Sequence, residues 1–187
     1  IMAGIIVDRY ARTAATLRWI DAAYNRAMTR GDSAMVILTQ ADMWDVDEAP
    51  TGAAHVSGYK PYIDKIAEGA KAYGLPVLMV VGDSHTYRSD NPLLQGAPCE
   101  MEVASGHAAV ACTDSRAQAL LAERKSPTDA YLVQPHGYQV PNFHRIVVHG
   151  ETLPMEWLKL RVDPQATAKP GGQTFGPFSW SRVQPAL

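Results

Sequence analysis

No stretch of this sequence is apolar for long enough to cross a membrane, and no signal-peptide pattern is visible. An excess of one charge is also missing. Seventeen Lys and Arg against nineteen Asp and Glu leave a net charge of −2. That balance gives no electrostatic reason to expect nucleic acid or an anionic membrane surface as a partner. Cysteine is scarce: there are 2, Cys99 and Cys112, without the Cys-x-x-Cys spacing of a zinc or redox site. Either they close a short loop as a disulfide, which argues for a periplasmic or extracellular protein, or both are free and buried, as in the cytoplasm. Internal repeats and low-complexity blocks are absent. What remains, 47% hydrophobic and 19% charged over 187 residues, is ordinary globular composition. The length suits one domain, or one domain with an appendage.

The apolar pattern begins with a helix over about Thr13 to Arg30, where Leu17, Ile20, Tyr24, Ala27 and Met28 form a stripe. Gly31-Asp32 ends it, and Met35 to Thr39 reads as a short strand. A loop without periodicity follows, from Gln40 through Gly52, with His55 near its end. Tyr59, Tyr62, Ile63, Ile66, Ala70 and Tyr73 then line a second helix, with Pro61 near its first turn and Gly74 past its end. Pro76 opens the run Val77 to Val81, read as a buried parallel strand. Strand, helix and strand make one βαβ unit, which places Thr39-Gln40 and Gly82-Asp83 on the same edge of a parallel sheet.

Beyond Tyr87 the pattern changes. Asp90-Asn91-Pro92 and Gly96-Ala97-Pro98 are turns. Glu102 to Ala104 and Ala109 to Cys112 suggest a hairpin, and Ser115 to about Lys125 a helix that buries Leu120 and Leu121. A polar, turn-rich stretch runs from Ser126 to Pro141. Arg145 to His149 and Trp157 to Val162 look like paired strands. Residues 1–163 therefore read as the domain, and 164–187 as an extended Pro- and Gly-containing tail anchored by Phe175, Phe178 and Trp180.

Chemistry concentrates just past Val81. Ligands of open α/β sheets bind beyond the carboxyl ends of the strands, where Asp83, Ser84 and His85 stand. Gly-Asp-Ser after a strand invites comparison with GDSL-type esterases, with Ser84 as nucleophile. Such chemistry needs a base and an orienting group, usually from a late Asp-x-x-His pair. No Asp of this chain has His three residues on.

A longer match lies in Gln40-Ala41-Asp42-Met43-Trp44, in Gly82-Asp83-Ser84-His85-Thr86-Tyr87-Arg88-Ser89-Asp90-Asn91-Pro92-Leu93, and in Val140 to Gly150 continuing through Leu158. In these strings the chain resembles the calcineurin-like metallophosphoesterases, and more closely the C-terminal half of a bacterial metallophosphoesterase-like group. The resemblance implies an α/β fold. It would be the C-terminal half of a sandwich, with a parallel βαβ unit followed by largely antiparallel strands.

The resemblance also implies hydrolysis of a phosphoester, a small molecule among the possible substrates, at a site of divalent metal ions (Mn, Fe, Zn or Mg). His85 matches a ligand histidine of the family's last motif, Asp83 replaces its other histidine, and Gln40 stands where an earlier histidine closes a strand. Asp42 and His144 would support these ligands from behind, the alternative for His144 being a hydrogen-bonded structural histidine. The family's early motifs Asp-x-His and Gly-Asn-His, which supply most ligands, do not occur before Gly82. An N-terminal half or another chain is therefore expected to complete the site and cover the sheet. The alternative is a non-catalytic binding or assembly subunit that keeps the fold.

Other side chains have plainer readings. His149 is expected to pack, and His55, His107 and His136 to be solvated loop residues. Asp42 and Asp45 form an acidic loop, and Trp44, Trp157 and Trp180 are expected packing anchors.

Overall fold

A computed structural model describes residues 2–44, 52–103, 108–123, 137–150, 155–165 and 173–184. Helix α1 spans Met2–Arg30, starting earlier than the apolar stripe alone predicts. Its end is a Schellman cap. Gly31 takes φ 68°, its N–H donates to the Met28 carbonyl, and the Asp32 N–H donates to that of Ala27. Of the stripe, Ile20, Tyr24 and Ala27 are buried, whereas Met28 is exposed. Helix α2 spans Gly52–Tyr73. It therefore includes His55, expected in a loop, and it places Pro61 in the helix interior rather than the first turn. Pro61 donates no N–H there, at a cost of about 3 kcal/mol. Packing of Ile63, Ile66, Ala67 and Ala70 in the core offsets it.

The strands are β1 (Met35–Thr39), β2 (Val77–Val81), β3 (Arg88–Asp90), β4 (Glu100–Glu102) and β5 (Ala109–Ala111), before helix α3 (Ser115–Glu123). After α3 come β6 (Phe143–Val147), β7 (Trp157–Val162), β8 (Thr174–Phe175) and β9 (Phe178–Val183). Six strands form one mixed sheet in the order β1-β2-β6-β3-β4-β5. β1, β2 and β6 run parallel, and β3, β4 and β5 continue antiparallel. The expected βαβ unit and the β4–β5 hairpin are both present. The chain is thus α/β, with parallel and antiparallel strands in one sheet.

Two expectations about pairing need correction. β6 does not pair with β7. It inserts between β2 and β3, while β7 pairs with β9 in a separate sheet of order β7-β9-β8. Arg88–Asp90 is also a strand, paired with β4 and β6, so Asp90, expected to open the turn Asp90-Asn91-Pro92, instead ends a strand.

Alternation along the strands builds three layers. Val77, Met79, Val81, Phe143 and Val147 face α1 and α2 in the main core. Leu78, Tyr87 and Ile146 face the small sheet, which contributes Phe178 and Trp180. The tail is therefore a strand pair that closes the second face of the main sheet. Both faces of β2 are covered by this chain's own residues, although an additional half was expected to cover them. β1 is different, for its Val36 and Leu38 are 37% and 74% exposed. Trp157, expected to anchor packing, is 53% exposed because β7 turns it to the outer face. Cys99 and Cys112 form a disulfide with Cα atoms 5.4 Å apart, beside a small cluster of Met101, Val103, Ala117 and Leu121. No described helix is long and apolar enough to cross a membrane.

Candidate functional site

Three loops meet at the carboxyl ends of β1, β2 and β6. The Gly82 N–H donates to the Gln40 carbonyl at 3.1 Å, joining the first loop to the second. The Gly150 N–H donates to the His85 carbonyl at 3.1 Å, joining the third to the second. Side chains reinforce the first junction. Gln40 Nε2 donates to Asp83 Oδ1 at 2.9 Å, and the Asp42 N–H donates to Asp83 Oδ2 at 3.4 Å. Both oxygens of Asp83 are thereby oriented from the β1 side. Gln40, Asp83 and His85 lie on one edge of the sheet, as the βαβ spacing predicts.

The backbone between β2 and β3 is unusual. Asp83 has φ 73° and His85 has φ 55°, and among the described residues they are the only non-glycine residues with positive φ. A left-handed conformation costs an L-residue roughly 1–2 kcal/mol, though Asp and His tolerate it better than most. His85 is exposed, and Asp83 is partly so. The third loop closes on the His85 ring, since a Cβ added at Gly150 would lie 3.2 Å from His85 Cδ2.

Beneath the loops lies a buried charge network. Arg145 and Asp42 are both 0% exposed. Arg145 NH1 donates to Asp42 Oδ1 at 2.7 Å. Its Nε and NH2 grip both oxygens of Asp90, directly opposite on β3, at 2.9 and 2.7 Å. Arg88 Nε adds a bond to Asp90 Oδ2 at 2.7 Å. The guanidinium also lies over the Trp44 ring, 5.3 Å from its centroid. Burial alone would push the Asp90 carboxyl up, but Arg145 and Arg88 outweigh it and hold it down to about 2. Asp42 uses its remaining capacity on the loops, accepting from the Trp44 N–H at 3.1 Å and from Ser84 Oγ at 3.0 Å. The acidic loop is therefore not simply solvated.

His144 is not brought to this site. It points to the opposite face of β6, between the sheets, with Nε2 2.9 Å from Ser89 Oγ and its ring against Phe175 and Trp180. The expectation that it backs the ligands is therefore corrected. Strand alternation puts Arg145, not His144, on the face beneath the loops. His149 is buried as expected, with Nδ1 2.7 Å from Glu102 Oε1. Arg182 joins Glu102 to Glu156 nearby and stacks on Tyr87. A cavity of about 370 Å³ lined by Glu156, Gln173 and Arg182 lies there, sharing no lining residue with the Asp83 loop. Asp45, His107, His136 and the Ser126 to His136 stretch lie outside the described residues.

Sequence reasoning missed Arg145, Asp90 and Gly150 as parts of the site. The available signal was Arg145 itself, a charged residue facing the core from a strand of Ile and Val, which requires buried carboxylates.

Asp83 and His85 suit a divalent metal ion chemically, one as a carboxylate and the other as an imidazole. Among the described residues, however, no three His, Cys, Asp or Glu side chains group to hold one. Asp83 and His85 are two candidate ligands, and a bound ion would need further ones. No family model, curated protein or solved structure matches the chain.

Proposed function

We propose that the chain forms one wall of a metal-dependent phosphoester hydrolase site of the metallophosphoesterase type. Asp83 and His85 are the ligands it contributes, and Gln40 fixes the Asp83 carboxylate. One observation carries the reading. Among the described residues, the two non-glycine residues in left-handed backbone are the two chemically suited side chains, two positions apart in the loop after β2. Such strain persists where surrounding structure over-determines it, and it clusters at functional sites. Divalent metal in such a site activates water and neutralises the transferring phosphoryl group. The remaining ligands come from an N-terminal half or another chain, and the exposed Val36 and Leu38 of β1 mark where that segment adds. The Cys99–Cys112 disulfide supports a periplasmic or extracellular setting.

The test is hydrolysis of an aryl phosphate with added Mn²⁺ by the protein together with its completing segment. Asp83→Asn and His85→Ala should each lower the rate by about 100-fold or more, the scale of losing a group that stabilises the transition state. Wild-type rates in both variants would overturn the assignment.

A second reading, a non-catalytic binding or assembly subunit, is favoured by the lack of a three-ligand group among the described residues. Neither Mn²⁺ binding nor hydrolysis in the completed assembly would select it. The GDSL-type reading is weaker. The Ser84 hydroxyl donates to Asp42, a carboxylate already ion-paired with Arg145, and not to a histidine base. Ser84→Ala should therefore cost less than about 10-fold in rate, whereas loss of a nucleophile costs orders of magnitude more.

A further inference from the structure

We infer that Arg145 is the positioning residue of this site, acting through Asp42 on the loops that carry Asp83 and His85. The inference deepens the hydrolase reading and rests on it for the identity of the ligands, though not for the geometry. In the bonds described above, Arg145 acts on Asp42 and Asp90. Its guanidinium binds Asp42 with one nitrogen and Asp90 with the other two. Asp90 is fixed in β3, so Arg145 ties the Asp42 loop to the sheet rather than to another loop. Asp42 then passes that position on in three directions. Its Oδ2 receives the Ser84 hydroxyl between the two left-handed residues, its N–H meets Asp83 Oδ2, and its Oδ1 receives the Trp44 N–H.

The charges explain why the device holds. Two arginines and two aspartates sum to zero, so burial leaves no uncompensated ion as long as all four remain. Arginine is required rather than lysine, because only a planar fork serves two carboxylates at fixed angles. In Arg145→Lys the charge survives, but one ammonium on a flexible stem cannot hold Asp42 and Asp90 together. The positive-φ turn at Asp83 and His85 then loses the contact that over-determines it. Ser84→Ala cuts the same path at its exposed end and leaves no buried charge unpaired, so it folds even if Arg145→Lys does not.

Amide hydrogen exchange on the full chain, followed by NMR, tests this directly. In both variants, exchange at Asp42, Trp44, Gly150 and the amide of position 84 should rise about 10-fold or more, while Leu78 to Val80 changes less than about threefold. Loop amides no faster than those of β2, or uniform acceleration throughout, would overturn the inference. Mn²⁺ alone is the second probe, read as paramagnetic broadening of the His85 ring signals. Broadening in the wild type should require about 10-fold more Mn²⁺ in Arg145→Lys, and unchanged affinity alongside faster loops also overturns the positioning role. If the wild-type ring is not broadened, the two side chains of this chain alone do not hold Mn²⁺, and the exchange pattern still decides whether Arg145 positions the loops.

Discussion

His144 and Asp90 sit near one another, and both change the protein's response to acid. Burial between the sheets pushes the His144 imidazole down to about 4. Asp90 pulls it back up and Arg145 opposes that. A histidine depressed in the folded state is protonated more readily when unfolded. Its contribution is fully present above the unfolded value of about 6.5 and is lost as pH falls toward 4, roughly 3 kcal/mol in all. Asp90, held down to about 2, contributes above the unfolded carboxylate value and loses that only below about pH 4, roughly 2 kcal/mol. Urea unfolding at pH 7 and pH 4 separates the two windows. His144→Asn should lose roughly 3 kcal/mol less than the wild type over this interval, and equal losses would show that His144 is not held neutral. The sequence placed His144 and Arg145 in one informative string. It could not say which of two adjacent residues served the site, because that depends on which face of β6 the helices cover.

Elements were legible wherever a local pattern defined them. The apolar runs of β1 and β2 and the stripes of α1 and α2 signalled their own structure. The hairpin was readable from the two short β-like pieces at Glu102 to Ala104 and Ala109 to Cys112. Partner choice was not readable, since β6 inserts between β2 and β3 over long sequence separations that no local residue encodes. The small sheet hid for another reason, as Pro170, Gly171, Gly172 and Pro177 suggest a loop. Its turn depends on Gly176, which takes φ 53° between paired residues Phe175 and Phe178. A Cβ there would also lie 2.5 Å from Pro76 Cγ, at the start of β2. Gly176→Ala therefore carries both backbone strain and a collision, and should destabilise by about 2–4 kcal/mol. Gly96→Ala is the control. Its φ is 73° and nothing lies within 4 Å of an added Cβ, so it should cost only about 1 kcal/mol. Equal losses in denaturant titration would mean that the approach to Pro76 contributes nothing.

At the scale of the molecule, the two edges of the main sheet differ in what lies beside them. The β5 side carries the disulfide-stapled hairpin and α3, while β1 pairs only with β2 among the described strands. On the helix face, Met35 and Ile37 pack against the main core. On the other face, Val36 and Leu38 continue the row of Leu78 and Val80, but Phe178 and Trp180 do not extend over them. An apolar edge strand of this kind is an open pairing site, which soluble proteins usually blunt with charge or proline. The Gln40 loop begins where β1 ends, so a segment added along β1 would reach the Asp83 edge, where the proposed metal site would take its further ligands. Burying Leu38 is worth roughly 2 kcal/mol. Leu38→Glu should therefore weaken association of the completing segment by about 10-fold or more, read as a shift in Kd, with the chain's own unfolding midpoint little changed. Sedimentation velocity checks both arms. If the segment binds the variant as tightly as the wild type, the proposed addition at β1 is wrong.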